Sequence, residues 1–552
     1  MSAPSPPAIA GAELPLGPLA ELARWVEAAE AAEAEPPEAA ARIEGALGAL
    51  RAAWPDLGGA ERRLLGSLVT GLTARRPPPG AAPAAPRGDA LDDALGRLGV
   101  RRLRPGQDRA IAAALAGRDA MVVMATGSGK SLCYQAPAAA LSGLTLVVSP
   151  LIALMADQVG ALARAGIPAA MLSSDMAEGA QREALAAARA GRLSLLYAAP
   201  ERLGSAGFRA ALAEVPIALL VVDEAHCVSE WGHEFRPDYR RVGAAREALR
   251  PRATMALTAT ATAAVRTDVV NRLGLRDPVE VIGGFDRPNL TFDALWVEGR
   301  GSAARRRGVV AAAVRALDGG KAIVYCGTRR AAEETAAALA AEGHPAVAYH
   351  AGRGDRAEAQ EAFTSGRARV VAATNAFGMG VNVPDVRLVA HATLPDSLEQ
   401  LYQEAGRAGR DGEPARHLLV GGPGDEVAAR RRIARARAEP EEVDRLLAGL
   451  AAGADGEGRF QLPRERADDR TAFLLALAER AGALALDGTP GGGRAGRLLA
   501  GRLGPEGREE LEGLVRQELR RRHRALDAAV AYARDAGCRR RAFLDHFGDP
   551  AE

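Results

Sequence analysis

The stretch Met121-Val122-Val123-Met124-Ala125-Thr126-Gly127-Ser128-Gly129-Lys130-Ser131 constrains this chain more than any other. Its apolar start reads as a buried strand, which breaks into small residues and glycine and ends in Lys-Ser ahead of a helical pattern. Polyphosphate binding needs that chemistry. Glycines let backbone N–H groups crowd around oxygens, the lysine reaches the β and γ phosphates, and the serine hydroxyl ligates Mg²⁺. The helix that follows adds the positive end of its dipole. Thr126, Gly127, Ser128, Gly129, Lys130 and Ser131 are thus the expected nucleotide cradle, and Met124 stands where G-x-x-x-x-G-K-[ST] has its first glycine. Of 71 lysines and arginines only Lys130 and Lys321 are lysine. A chain so biased toward arginine keeps a compact ammonium where a planar fork would not fit. Lys321 opens a strand with no catalytic demand, so the bias supports the loop without proving it.

The length of 552 residues suggests three or four domains, and 48% hydrophobic content is ample for real cores. No apolar run approaches the ~20 residues of a membrane span. The start, Met1-Ser2-Ala3-Pro4, lacks the basic and apolar regions of a secretory signal, which makes a bacterial-type cytoplasm the expected compartment. Cys133, Cys227, Cys326 and Cys538 are scattered singly, against both a disulfide framework and a self-contained metal site. Net charge is only +2, so a nucleic-acid partner must be held by local arginine clusters and stacking rather than by a bulk basic field.

Residues 1–75 are Ala/Glu-rich with helical stripes (Leu19, Leu22, Val26; Ile43, Leu47, Leu50, Trp54), and 76–90 form a Pro/Ala-rich linker. Short apolar runs then alternate with helical patterns: Met121–Met124, Leu144–Ser149, Leu193–Ala198, Ile217–Val222 and Thr254–Leu257. The texture restarts at Ala322–Cys326, Ala346–Tyr349, Val370–Ala373, Leu388–Ala390 and Leu418–Val420. Such runs separated by helices imply parallel sheets covered on both faces, hence two α/β lobes, 91–284 and 285–425. Only the first has a phosphate loop. Its partner is the strand Ile217–Val222, which ends in adjacent acids. Asp223 is assigned to the metal with Ser131, and Glu224 to polarising the attacking water.

From Asp223 to Tyr239 the chain reads Asp-Glu-Ala-His-Cys-Val-Ser-Glu-Trp-Gly-His-Glu-Phe-Arg-Pro-Asp-Tyr, which resembles motif II and the aromatic-rich loop of the RecQ DNA helicases. Thr126-Gly127-Ser128-Gly129-Lys130-Ser131 likewise resembles the phosphate loop that helicase-type motors use. Leu103-Arg104-Pro105-Gly106-Gln107 is similar to the family's adenine-reading segment, and Leu257–Thr262 to its motif III. Phe285–Leu290, Tyr349–Gly352, Ala373–Gly380 and Gln403–Gly412 continue the resemblance over residues 91 to 425. Arg353 and Val383 depart mildly, outside the ATP machinery. The resemblance implies two RecA-like lobes in tandem that use ATP and Mg²⁺, with Arg104 and Gln107 at the adenine. It implies 3′-to-5′ movement on single-stranded DNA, opening of partly duplex DNA, and a role in repair and recombination.

Hydrolysis develops charge on the γ-phosphoryl oxygens, which guanidinium groups in a closed cleft stabilise. Arg407 and Arg410, three apart on an expected helix, can both face the cleft, with Gln403 one turn earlier beside the γ-phosphate or water. Supplied by the other lobe, they make hydrolysis conditional on closure. Trp231, Phe235 and Arg236, flanked by His226 and His233, form the coupling candidate, since base stacking on aromatics contributes ~1–3 kcal/mol per base without regard to sequence. The resemblance implies that His226 links the nucleotide site to DNA.

Beyond 426 the resemblance thins to a small, mostly helical region. Glu426–Ala438 reads as an arginine-dense helix, and Phe460–Leu486 with the glycines of 488–496 as a helix-and-wing module for duplex contact. Cys538–Gly548 resembles the start of the family's zinc element, but its other cysteines are missing and tetrahedral zinc needs four donors, so no zinc is expected. The whole reads as an ATP-dependent DNA helicase. An RNA helicase and a DNA-dependent ATPase that remodels or anneals strands are the rivals.

Overall fold

Seven buried or half-buried runs make the first sheet of the computed structural model: β1 Ala120–Met124, β2 Leu144–Val148, β3 Ala169–Leu172, β4 Leu195–Ala198, β5 Ile217–Val222, β6 Ala253–Thr258 and β7 Val279–Gly283. They lie in the order β3-β4-β2-β5-β6-β1-β7, every pairing parallel. The structure describes residues 89–125, 127–173, 176–229, 237–375, 377, 383–463, 466, 468–487 and 493–549. The expected helical segment 1–75, most of the linker, and Thr126, Trp231, His233, Phe235 and Arg236 lie outside these. So do Ala376, Gly378, Met379 and Gly380 of the second lobe's motifs, and the glycines of 488–492.

The second sheet has six strands: β8 Leu290–Trp296, β9 Lys321–Tyr325, β10 Ala346–Tyr349, β11 Val370–Ala373, β12 Val386–His391 and β13 Ala415–Gly421. Their order is β10-β11-β9-β12-β13-β8, again all parallel. The chain is therefore two RecA-like α/β lobes in tandem. Central strands read as unbroken apolar runs because helices cover both their faces. β7 and β8 escape a reading by apolar runs because each lies at a sheet edge and is partly exposed, so polar residues interrupt it; the edge strands β3 and β10 are short and stay apolar.

Alternation along the strands divides the first lobe's core. Met121, Leu146, Leu196 and Leu220 face one side, and Val122, Val147, Tyr197 and Leu219 the other. The first of these layers runs on through Phe285 to Leu398, Leu401 and Tyr402 of the second lobe, and to Phe543 and Phe547 near the C-terminus. Burying each such side chain contributes about 1.5–3 kcal/mol.

Helices Pro423–Arg435 and Pro440–Ala451 lead into an antiparallel sheet of β14 Arg459–Leu462, β15 Leu484–Asp487 and β16 Arg494–Leu498, ordered β14-β16-β15, with helix Asp469–Arg480 between its first two strands. This helix–strand–helix–hairpin unit, called the winged module below, closes around its own core of Val443, Leu447, Phe460, Leu475 and Leu484. The arginine-dense helix starts at Pro423 rather than Glu426, because proline at the first helical turn costs no hydrogen bond. Arg430 of that helix pairs with Asp527 at 2.6 Å and Arg432 with Asp396 at 2.7 Å, so part of its charge joins elements of the chain. The 30-residue helix Pro505–Arg534 then leaves the module, and Arg539–Phe547 follows. Cys538 stands exposed at the start of that last helix, which is held by aromatic packing, Phe547 stacking on Phe285 at 4.5 Å.

Candidate functional site

β1 and β5 are separated only by β6 and run parallel, so the segments that follow them emerge together at the carboxyl ends of the strands, where parallel sheets bind ligands. The loop after β1 turns through Gly127 (φ 81°) and Gly129 (φ 85°), conformations that cost a side-chain-bearing residue dearly. Lys130 folds back on it, its Nζ donating to the carbonyls of Met124 at 3.1 Å and Ala125 at 3.4 Å. Burial holds this ammonium below its ordinary value, while the Glu224 and Asp223 carboxylates oppose the shift. Ser131 caps the helix Leu132–Ala140 without a side-chain hydrogen bond to its backbone.

Asp223 follows β5. Its Oδ2 accepts from Ser149 Oγ at 3.2 Å and its Oδ1 from the Glu224 backbone N–H at 3.0 Å. Burial pushes its carboxyl upward and Lys130 counters it. Glu224 has a left-handed backbone (φ 48°), a conformation costing of order 1–3 kcal/mol in a residue that bears a side chain. His226 is fully buried, its Nδ1 2.9 Å from Thr258 Oγ1 and 3.4 Å from Glu224 Oε2, so it ties the acidic pair to the end of β6. A half-buried carboxylate beside an ammonium, under a glycine loop and a helix start, fits a magnesium-bound triphosphate. Ser131 and Asp223 are the residues that would hold the ion.

Arg104 and Gln107 lie against the same loop. Arg104 Nη1 donates to Gly127 O at 2.5 Å, and Gln107 Nε2 to Ser128 O at 3.2 Å and Gly129 O at 3.0 Å. Gln107 Oε1 in turn accepts from the Arg104 backbone N–H at 2.8 Å.

The second lobe reaches this crevice through Arg410. Its Cγ lies 3.4 Å from where a Cβ on Gly127 would stand, and its charge is felt by Lys130. Burial, with Arg407 and Arg287 beside it and Tyr325 opposing, pushes the Arg410 guanidinium down to about 10, so it stays charged at neutral pH. Arg407 and Arg410 are not on a helix. Helix Leu398–Ala405 stops before them, and Gly409 (φ 56°) turns the chain where a Cβ would collide with the Asn289 amide. Gln403 and Arg407 are buried and line a cavity of about 350 Å³ with Asn375, Gln400, Arg432 and Arg521.

Arg287 and Asn289 are absent from the residues assigned by motif. Arg287 Nη2 donates to the carbonyls of Ala408 at 3.1 Å and Gly409 at 2.9 Å. Asn289 Nδ2 donates to Gly409 O at 2.9 Å and Glu413 O at 3.0 Å. Together they fix the arginine turn from 120 residues away in sequence. Phe285–Leu290 is among the stretches that carry the family resemblance, so the sequence marks this segment without giving Arg287 or Asn289 a role.

Residues 104–268 match the DEAD/DEAH box helicase family and residues 308–412 the helicase conserved C-terminal domain. The chain is 40% identical over 370 residues to the ATP-dependent DNA helicase RecQ of Pasteurella multocida, covering 67% of this chain and 57% of that protein. It is 43% identical over 330 residues to the RecQ of Haemophilus influenzae, covering 59% and 52%. Over its two lobes the chain is similar to the RecQ helicases. It spans little more than half the length of these curated RecQ relatives. Among solved structures, the Mycobacterium smegmatis helicase Lhr superimposes with TM-score 0.50 at 21% identity, over 79% of this chain and 63% of that one. The helicase MrfA gives 0.51 at 19%, over 74% and 61%. Both share the fold of this chain.

Proposed function

We propose that this chain is an ATP-dependent DNA helicase that moves 3′ to 5′ on single-stranded DNA and opens partly duplex DNA. ATP, bound with Mg²⁺, supplies the phosphoanhydride that is cleaved. Residues 91–284 bind it and 285–425 complete the site. Lys130 neutralises the β and γ phosphates, and Ser131 and Asp223 hold the ion. Glu224 orients the attacking water and takes its proton. Arg410, with Arg407 and Gln403 from the same segment, stabilises the charge that develops on the transferred phosphoryl group. Arg104 and Gln107 exchange their hydrogen bonds to the loop for contacts with the adenine. His226, with Trp231, His233, Phe235 and Arg236, links the acids to the strand.

The observation that carries this reading is the approach of Arg410 to Gly127. A cation from one lobe against the phosphate loop of the other makes hydrolysis depend on closure, and closure and release move a strand. A strand-displacement assay on 3′-tailed DNA and RNA duplexes tests it. ATP-dependent release of the DNA strand alone is expected. Release of RNA only, or annealing without release, would overturn the reading.

A further inference from the structure

The winged module touches the first lobe through a small polar contact. Arg494, which opens β16, pairs with Asp238 at 2.8 Å, and Arg241 Nη2 donates to Leu486 O of β15 at 2.9 Å. Glu201 of the first lobe and Glu479 of the module line the same crevice, whose volume of about 20 Å³ has room for roughly one water. This is a docking contact and too small for a ligand. At its other end the module is rooted in the second lobe, where Leu526, Ala529 and Val530 of the long helix share a core with Ile433, Leu401 and Tyr402. The module therefore bridges the two lobes. Its grip on the second is apolar and buried, whereas its grip on the first rests on half-buried charges, the weaker of the two kinds.

Asp238 belongs to the 3₁₀ turn Pro237–Arg240, and the next residue in that turn is Tyr239. Tyr239 is fully buried, and its hydroxyl donates to the backbone carbonyl of Asp223 at 2.8 Å. One turn thus holds the module on one side and the metal-assigned acid on the other.

We infer that the turn Pro237–Arg240 is the mechanical link between the winged module and the ATP site: Asp238 holds Arg494, Tyr239 holds Asp223, and a shift of the module is passed to the carboxylate. Asp238, Arg241, Tyr239 and Arg494 are positioning residues in this sense. The inference rests on the ATPase reading for its consequence, but its geometry is testable without it.

Charge reversal provides the test. Arg494→Asp and Asp238→Arg are each expected to lower ATP hydrolysis stimulated by a 3′-tailed duplex about fivefold. Stimulation by a short single-stranded oligonucleotide should stay within twofold of the starting protein. Asp238→Arg/Arg494→Asp should recover at least half of the loss, and Arg494→Gln should fall between. Tyr239→Phe should raise the Mg²⁺ concentration for half-maximal rate about threefold while leaving the saturated rate within twofold.

Hydrogen–deuterium exchange of the nucleotide-free chain gives a readout that needs no activity. Each single reversal should raise exchange both in residues 484–498 and in residues 223–229, and the double reversal should lower both again. Faster exchange in the module with none in 223–229 would overturn the link, as would a double variant no better than the singles. If the unaltered chain proves to have no DNA-stimulated ATPase, the proposed function fails, and the exchange data alone decide whether the link exists.

Discussion

Strand β1 of the first lobe and its counterpart β9 in the second both run into a short loop and a helix, yet the two loops are built differently. After β1 the loop holds Gly127 and Gly129 in left-handed turns, and Ser131 leaves the helix start without a side-chain cap. After β9 the loop is Cys326-Gly327-Thr328, and Thr328 Oγ1 accepts the Ala331 backbone N–H at 3.1 Å. The second helix gives a first-turn donor to its own Thr328 side chain, whereas in the first the Leu132 and Cys133 N–H groups turn back on the loop and donate to the carbonyls of Gly129 at 3.1 Å and Lys130 at 3.0 Å. A shared scaffold is therefore neutral about nucleotide binding. The two left-handed glycines and Lys130 are what set the first loop apart. What the second lobe contributes instead is a turn of guanidinium groups, held by hydrogen bonds from Arg287 and Asn289.

The sharpest way to break this contrast is Arg410→Ala. It should lower kcat for ATP about 10³-fold, the scale of an arginine finger, while nucleotide affinity changes little. A loss confined to affinity, measured by equilibrium binding beside steady-state rates, would make the second lobe a second phosphate binder. Next in size, Phe547→Ala should cost about 3–5 kcal/mol by chemical denaturation, because the side chain is fully buried between Phe285 and Tyr402. A cost under about 1 kcal/mol would mean that the last helix is not part of the core uniting the lobes.

Asn289→Ala should reduce kcat about tenfold, roughly 1.4 kcal/mol, by loosening the arginine turn. The rate should be unchanged if that turn is self-supporting. The smallest effect is a pH tilt. His417 is fully buried beside His391, and burial holds its imidazole well below its ordinary 6.5. The unfolded chain then binds a proton that the folded chain refuses, so stability is complete above about pH 6.5 and falls as pH drops below it. Thermal melts of His417→Gln between pH 7.5 and 5.5 should show a flatter slope than those of the unaltered chain.

The parallel lobes were legible because central strands must be apolar on both faces, which leaves continuous runs such as Ile217–Val222. Edge strands β7 and β8, interrupted by Glu280 and by Thr291 and Asp293, leave none. The phosphate loop and Asp223-Glu224 could be read because each is contiguous and its chemistry is set by neighbours in the chain. Arg407 and Arg410 were readable as residues but not as a conformation, since glycines, not helical spacing, orient them.

By itself the sequence determined the strand-and-loop chemistry of the nucleotide cradle, the acidic pair after β5, and the family that the lobes resemble. Only the tertiary structure decided that Arg410 meets Gly127, that Arg287 and Asn289 hold its turn, and that Asp238 and Tyr239 join the winged module to Asp223. The reason is range. A loop's geometry is fixed by torsions within a few residues, whereas contacts between residues more than a hundred positions apart exist only once two packed bodies have chosen how to face each other.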